Sequence, residues 1–330
     1  MIKKLLIVSN NPSRASFRQR IGDYIPYLHE RGIQAEVQKL PMRLLQRWRL
    51  FRRASLFDGV LIHKKCLNYM DSKILRRSSR KILYDFDDAV MYSPERPESK
   101  HTSHGRLFRR TAQMADLVIA GNEYLAEHAG RFCPKVEILP TGLDTQAFRT
   151  LQKTTRDERI RLVWIGSKST LKYLAEIRPV LEQIGKENPE ITLRIISDAF
   201  LDLRNMKVEK CVWSLDRQNQ DLMDADIGLA PLPDNRFSRG KCGFKILQYF
   251  AAGLPAVASG IGVNRGFIEN SQAGLIANTP EQWLGAIKQL IQSEESVRVM
   301  SRRGKEFVRQ YDIQQIGRKF ADLLYAFISS

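Results

Sequence analysis

The chain has 330 residues, 43% of them hydrophobic, and a formal net charge of +17. That apolar content supports sizeable cores and excludes a disordered chain, and the length predicts two domains of roughly 100–200 residues each. The charge is uneven: residues 1–150 carry 27 Lys+Arg against 15 Asp+Glu, and residues 151–330 carry 26 against 21. A basic surface meets nucleic acid, anionic membrane or phosphorylated substrate, and charge alone does not choose among them.

In chain order, short apolar runs alternate with longer helical patterns. "KKLLIVSN" reads as a strand, with too short an apolar run before Asn10 to be a signal peptide. "ASFRQRIGDYIPYLHERG" reads as a helix ended by Gly32. "QAEVQKL", "LFDGVLIHK", "RKILYDFDDAV", "MADLVIAGN" and "KVEILPTG" continue the strands. The polar stretch Arg149 to Ile160 lacks periodicity and reads as a linker. The alternation then restarts with "IRLVWIGS", a helix from about Thr170 to Glu187, "ITLRIISD", "KCVWSL", "ADIGLAPL", the helix of "KCGFKILQYFAAGL", "AVAS" and "AGLIA". Continuous apolar strands separated by helices predict parallel sheets covered on both faces. The expected fold class is therefore α/β, with two doubly wound Rossmann-like domains facing a cleft. Their expected bounds are 1–148 and 161–310, with a linker over 149–160. Residues 311–330 read as a closing helix, free to pack back on the first domain.

Several positions stand where such sheets bind ligands, at the carboxyl ends of strands. After the first strand, Arg14, Arg18 and Arg20 replace a glycine-rich loop, and Arg18, in the helix's first turn, is the choice for holding a charged substrate. His63 closes another strand. Asp85, Asp87 and Asp88 cluster at the end of "ILYDFDDAV", as a site or as helix-capping groups. In "VWIGSKST", Gly166 falls between strand and helix, the place of a phosphate cradle, with Ser167, Lys168 and Thr170 after it. Lys241 and Lys245 lie four apart at the head of an apolar helix, a spacing that would put both on one face, with Gln248 a turn further on. Gly243 permits close approach of a ligand to the backbone.

Lys39 to Phe57 mixes five arginines with Leu44, Leu45, Trp48 and Phe51 at helical spacing, which predicts a basic amphipathic helix able to lie on anionic lipid. Nothing resembles a nucleic-acid module, so nucleic acid is not an expected partner. Cys66, Cys133, Cys211 and Cys242 form no CxxC pair, which predicts free thiols in a reducing compartment rather than a zinc site. No apolar run approaches the ~18 residues of a membrane span.

"KCGFKILQYFAAGLPAVAS", "VNRGFIENSQAGLIANTPEQW" and "VEILPTGLDTQAF" resemble glycosyltransferases of the GT-B fold, family 4, over most of residues 130–290. The resemblance implies a donor diphosphate held by Gly166, Ser167, Lys168, Thr170, Lys241, Gly243, Phe244 and Lys245, with Gln248 at the ribose. It implies a retaining, metal-independent transferase moving a sugar from a nucleotide-sugar to a cell-surface glycan or lipid-linked acceptor. Two glutamates usual in that family are replaced here by Gly240 and Gln248, and the usual Arg after the first strand of the second domain is absent. Aligned by its strand, the family's His-Asp pair falls on Asp87 and Asp88, which with Arg18 are the expected catalytic residues. Asp85 and Asp87 also spell the DxD with which GT-A glycosyltransferases hold a divalent cation. No metal or other cofactor is expected on the GT-B reading. A sugar-nucleotide epimerase and a membrane-associated, non-catalytic GT-B-like subunit remain as alternatives. The expected location is cytoplasmic, peripheral on the inner face of the membrane.

Overall fold

A computed structural model describes residues 2–99, 102–154 and 159–330. The expected linker therefore lies partly outside the described residues. Two units emerge. One comprises the chain up to Gly142 together with Asn235–Cys242 and Tyr311–Ser330; the other comprises Leu143–Asp234 and Gly243–Gln310. Two expected bounds are thus displaced. The second unit starts at Leu143 rather than near 161, and Asn235–Cys242 lies with the first unit; Tyr311–Ser330, the closing helix, also lies with the first unit.

The first unit is built on six parallel strands: β1 (Lys3–Ser9), β2 (Ile33–Lys39), β3 (Gly59–His63), β4 (Ile82–Phe86), β5 (Leu117–Ala120) and β6 (Val136–Ile138). Their order is β2-β1-β3-β4-β5-β6. Side chains alternate between faces along a strand. Leu6, Val8, Ile82, Tyr84 and Phe86 therefore enter one core, with the helices Leu44–Arg52, Tyr69–Ser78 and Ser103–Met114 over them. Leu5, Ile7 and Leu83 enter the other, under Ala15–Arg20, Ile25–Glu30 and the closing helix Ile313–Ser329. That closing helix contributes Ile316, Phe320 and Leu324, all buried.

The second unit carries β7 (Arg161–Ile165), β8 (Thr192–Ser197), β9 (Lys207–Val212), β10 (Ile227–Ala230), β11 (Ala256–Ala258) and β12 (Gly274–Ile276), in the order β12-β11-β10-β7-β8-β9. All are parallel. Leu162, Trp164, Leu193, Ile195 and Leu229 pack under the helices Arg178–Glu187 and Pro280–Gln292. The helix Phe244–Ala252 packs against β10: the Tyr249 hydroxyl donates to the Leu229 carbonyl at 2.9 Å, and its ring lies over Gly228.

Two expected helices are interrupted. The first breaks into Ala15–Arg20, a 3₁₀ turn at Gly22–Tyr24 and Ile25–Glu30, with Pro26 in the first turn of the last piece. The helix expected over 170–187 splits at Ile177, where Pro179 opens Arg178–Glu187. Proline has no N–H to donate and is tolerated only in a first turn, so each proline restarts a helix rather than continuing one.

In each sheet the strand order reverses once, between β1 and β3 and between β7 and β10. Ligands of open parallel sheets bind at such reversals, beyond the carboxyl ends. Because Phe320 fills the first unit's core with no exposed surface, Phe320→Ala should cost about 3–5 kcal/mol, read as a lower urea midpoint.

Candidate functional site

At the first reversal, Asp85 lies at the end of β4 in register with His63 of β3. Its carboxylate is fully buried and accepts from Arg20 Nε at 3.0 Å, Arg20 Nη2 at 2.8 Å and His63 Nδ1 at 3.0 Å. Arg20 Nη1 donates to the Leu139 carbonyl at 2.6 Å. Burial by itself would raise the Asp85 carboxyl, but Arg20 and then His63 hold it below the usual carboxylate range. Arg20 is pushed the opposite way: burial disfavours its charge, and Asp85 more than offsets that. Asp85 thus faces inward and does not share a cation with Asp87. Arg20, from the same run as the expected Arg18, reaches the strand ends. Arg18 is half-buried on the same short helix.

One residue further on, the chain turns outward. Lys64 adopts φ +58°, a left-handed conformation that a side chain resists, and its N–H donates to the Asp85 carbonyl at 2.7 Å. Lys64 Nζ lies 2.6 Å from Asp87 Oδ1 and 2.8 Å from Asp88 Oδ2. Lys241 Nζ lies 2.7 Å from Asp88 Oδ1. Burial would raise the Asp88 carboxyl, but Lys241 and Lys64 together hold it well below the ordinary range. The Cys242 thiol donates to the Asp87 carbonyl at 3.2 Å, and burial followed by the nearby Asp87 charge pushes it up to about 12, so it stays neutral. Asn122 ties this segment down, donating to the Gly240 carbonyl at 3.2 Å. A Cβ on Gly240 would sit 2.7 Å from Ala89 Cβ and 2.9 Å from Leu125 Cδ2, which leaves no room for the glutamate usual there.

The opening lysines of the apolar helix therefore part company. Gly243, at φ +66°, stands as N-cap, and the helix runs only from Phe244 to Ala252. Lys241 precedes it and pairs with Asp88 in the first unit, so the expected shared helical face does not form. Lys245 belongs to the second unit. Its ammonium lies 4.8 Å from the Trp164 ring centroid and donates to the Ile165 carbonyl at the end of β7. A Cβ on Gly166 would come within 2.5 Å of Lys245 Nζ and 2.6 Å of Trp164 Cη2, so only glycine leaves the ammonium this place. Beyond it, the Lys168 N–H donates to Asp198 Oδ1 at 2.6 Å and the Thr170 hydroxyl to the Ser167 carbonyl at 3.0 Å. Ser167 and Lys168 are exposed, whereas Gln248 is buried. Gly166 and Lys245 are thus brought together at the second reversal, with an open N-terminal helix turn beside them.

Lys64 and Asn122 were not anticipated, and Arg20 was named beside Arg14 and Arg18 but not chosen. Only the strand end before Lys64 signalled the first of them. A further pocket of about 380 Å³ opens at the carboxyl ends of β10, β11 and β12, lined among others by Pro231, Pro233, Ser259, Arg265, Asn278 and Trp283. It contains none of the anticipated residues. Among the described residues, no three His, Cys, Asp or Glu side chains are grouped to hold a metal ion.

Known proteins share this architecture. Sucrose-phosphate synthase from Thermosynechococcus elongatus superposes with a TM-score of 0.77 at 11% identity, covering 99% of each chain. Anabaena HepE, in complex with UDP-glucose, does so with a TM-score of 0.72 at 15% identity, over 98% of this chain and 100% of that one. WaaG, a glycosyltransferase involved in lipopolysaccharide biosynthesis, gives 0.68 at 13% identity, over 97% of this chain and 99% of that one. No curated protein matches the sequence. The two parallel six-stranded sheets are those of the GT-B fold. Residues 145–293, most of the second unit, match the family model of glycosyl transferases group 1. The chain accordingly carries a group 1 glycosyl transferase domain over those residues, within the GT-B fold.

The Asp85 pairing has a pH signature. Its folded pKa lies below the unfolded value of about 3.9, so the pair stabilises fully above that value and the contribution is lost as pH falls through the folded pKa. Arg20→Met should cost roughly 3–5 kcal/mol near pH 7 by leaving a buried charge unpaired. The deficit should shrink toward about pH 4, where a protonated Asp85 tolerates burial; urea melts across that range measure both.

Proposed function

We propose that the chain transfers a sugar from a nucleotide-sugar donor, held by its second unit, to a cell-surface glycan or lipid-linked acceptor bound by its first. The observation that carries this is the Lys245 ammonium, set against the bare backbone of Gly166 at the strand reversal. A cation there, with the N-terminus of the Phe244–Ala252 helix, suits a diphosphate. Lys168, Ser167 and Thr170 line the same loop. As the bond between the sugar's anomeric carbon and the diphosphate oxygen breaks, Lys245 would stabilise the charge left on the diphosphate. The acceptor oxygen forms the new bond to that carbon, and Asp87 receives its proton. Retention of configuration and independence of metal belong to this reading. The UDP-glucose bound by HepE supports the donor class, and the part of WaaG in lipopolysaccharide biosynthesis supports the acceptor class.

We also propose contact with an anionic membrane. No described helix is long and apolar enough to cross a membrane. In the Leu44–Arg52 helix, Leu50 and Phe51 face the core, while Leu44 and Leu45 stay 55% and 67% exposed beside exposed Arg43, Arg49 and Arg52. The neighbouring helix exposes Tyr69 and Met70, with Lys73 and Arg110 over the Tyr69 ring. Apolar side chains that find no core beneath them, ringed by cations, suit an interface of anionic headgroups. Arg47 is not part of this surface, because it pairs at 2.7 Å with Asp71, which is buried.

A melting-temperature panel of UDP-, GDP- and ADP-glucose tests the donor site. One donor should raise the midpoint, and Lys245→Ala should weaken its binding by at least about tenfold, the loss of one charged phosphate contact. Equal affinity in the variant would remove Lys245 from the site. On vesicles containing phosphatidylglycerol, the L44E/L45E variant should fail to co-sediment and high salt should release the wild type; Arg47→Ala should lower stability instead.

A further inference from the structure

Among the described residues only Lys64 and Gln272 combine a side chain with positive φ. Gln272 has the ordinary explanation, since it ends the helix Val263–Ser271 as a left-handed cap. Lys64 has none of that kind. It follows a strand directly, where glycine would remove the strain at once. The strain persists at functional sites when the surroundings demand that side chain. Here the demand is visible: the turn drops the ammonium between Asp87 and Asp88, within 2.8 Å of both.

The two carboxylates are not equivalent. Asp88 has a lysine on each oxygen, Lys64 at Oδ2 and Lys241 at Oδ1. Asp87 meets Lys64 through Oδ1 alone. The other ionisable groups around the pair are the neutral Cys242 thiol at the Asp87 carbonyl and the Arg20–Asp85–His63 cluster behind the strand ends. A carboxylate clamped by two cations is a weak base and a poor hydroxyl acceptor, while one held on a single side keeps an oxygen for a substrate.

We propose that Lys64 is the positioning residue of the acceptor site: it locks Asp88 together with Lys241 and aims Asp87, which alone addresses the acceptor hydroxyl. This rests on the reading of Asp87 as the group that receives the acceptor's proton. Lys64 touches no substrate on this view and acts through Asp87.

Water serves as the acceptor in the test. Release of nucleoside diphosphate is followed with UDP-, GDP- or ADP-glucose, whichever the melting panel selects. Lys64→Gly, which fits the left-handed turn, should bind donor like the wild type yet turn over about a hundredfold more slowly, the cost of a misaimed group. Lys64→Arg should restore the rate. Asp87→Asn should abolish turnover, whereas Asp88→Asn should retain most of it. A Lys64→Gly enzyme with the wild-type rate overturns the proposal, and so does an Asp88→Asn enzyme as inactive as Asp87→Asn. If both Asn variants match the wild type, the acceptor-site reading itself fails and takes the proposal with it. Should Lys64→Gly not fold, the comparison of the two Asn variants decides.

Discussion

The Asp85 carboxylate sits where no water reaches it, and the first unit's strand ends are arranged around keeping it charged. Arg20 comes from the first helix, His63 from β3 and the Leu139 carbonyl from the end of β6, so one anion draws together elements far apart in sequence. An ion pair of this kind contributes little net stability compared with well-packed apolar groups. Its physical effect is positional. With Asp85 turned inward and fixed, the next carboxylates, Asp87 and Asp88, leave the strand outward, and the Asp85 carbonyl receives the N–H of the strained Lys64. The inner cluster thereby sets the register of the outer one.

In the second unit, space rather than charge is the constraint. Gly166 must lack a side chain for Lys245 to lie over the end of β7, and Gly243 must take a left-handed φ for the helix to start where it does. Lys245 is therefore presented by a rigid helix whose far side is pinned through Tyr249 to β10. An ammonium stacked on Trp164 and bonded to a backbone carbonyl has already given up part of its hydration. It is prepared for an anionic ligand more fully than a lysine on an open surface would be.

The strands were legible because parallel sheets demand unbroken apolar runs, and "LLIV", "VLI" and "LVIA" leave no other reading. Gly166 was legible for the same reason, as the glycine closing such a run. What escaped was set by contacts distant in sequence. Helical spacing placed Lys241 with Lys245, but the left-handed Gly243 between them overrides spacing, and periodicity carries no sign of φ. Arg18 and Arg20 are alike in sequence; only the approach of Asp85 from 65 residues away distinguishes them. Leu44, Leu45, Trp48 and Phe51 read as one lipid-facing stripe, while Phe51 closes the core with Leu50 and leaves Leu44 and Leu45 exposed, and apolarity alone does not tell a core face from an unpartnered one.

Gly240 and Lys241 show why departures from a family pattern need to be weighed together. A glutamate at 240 would collide with Ala89 and Leu125, so its loss follows from the close packing of Asn235–Cys242 into the first unit. That same packing delivers Lys241 to Asp88 and Cys242 to the Asp87 backbone. The segment with no room for a glutamate at 240 is thus the one that brings a cation to Asp88. Taken singly, the missing glutamate looks like decay of a catalytic site. Taken with Lys241, it belongs to a packing that leaves Asp88 paired with two lysines and Asp87 with one.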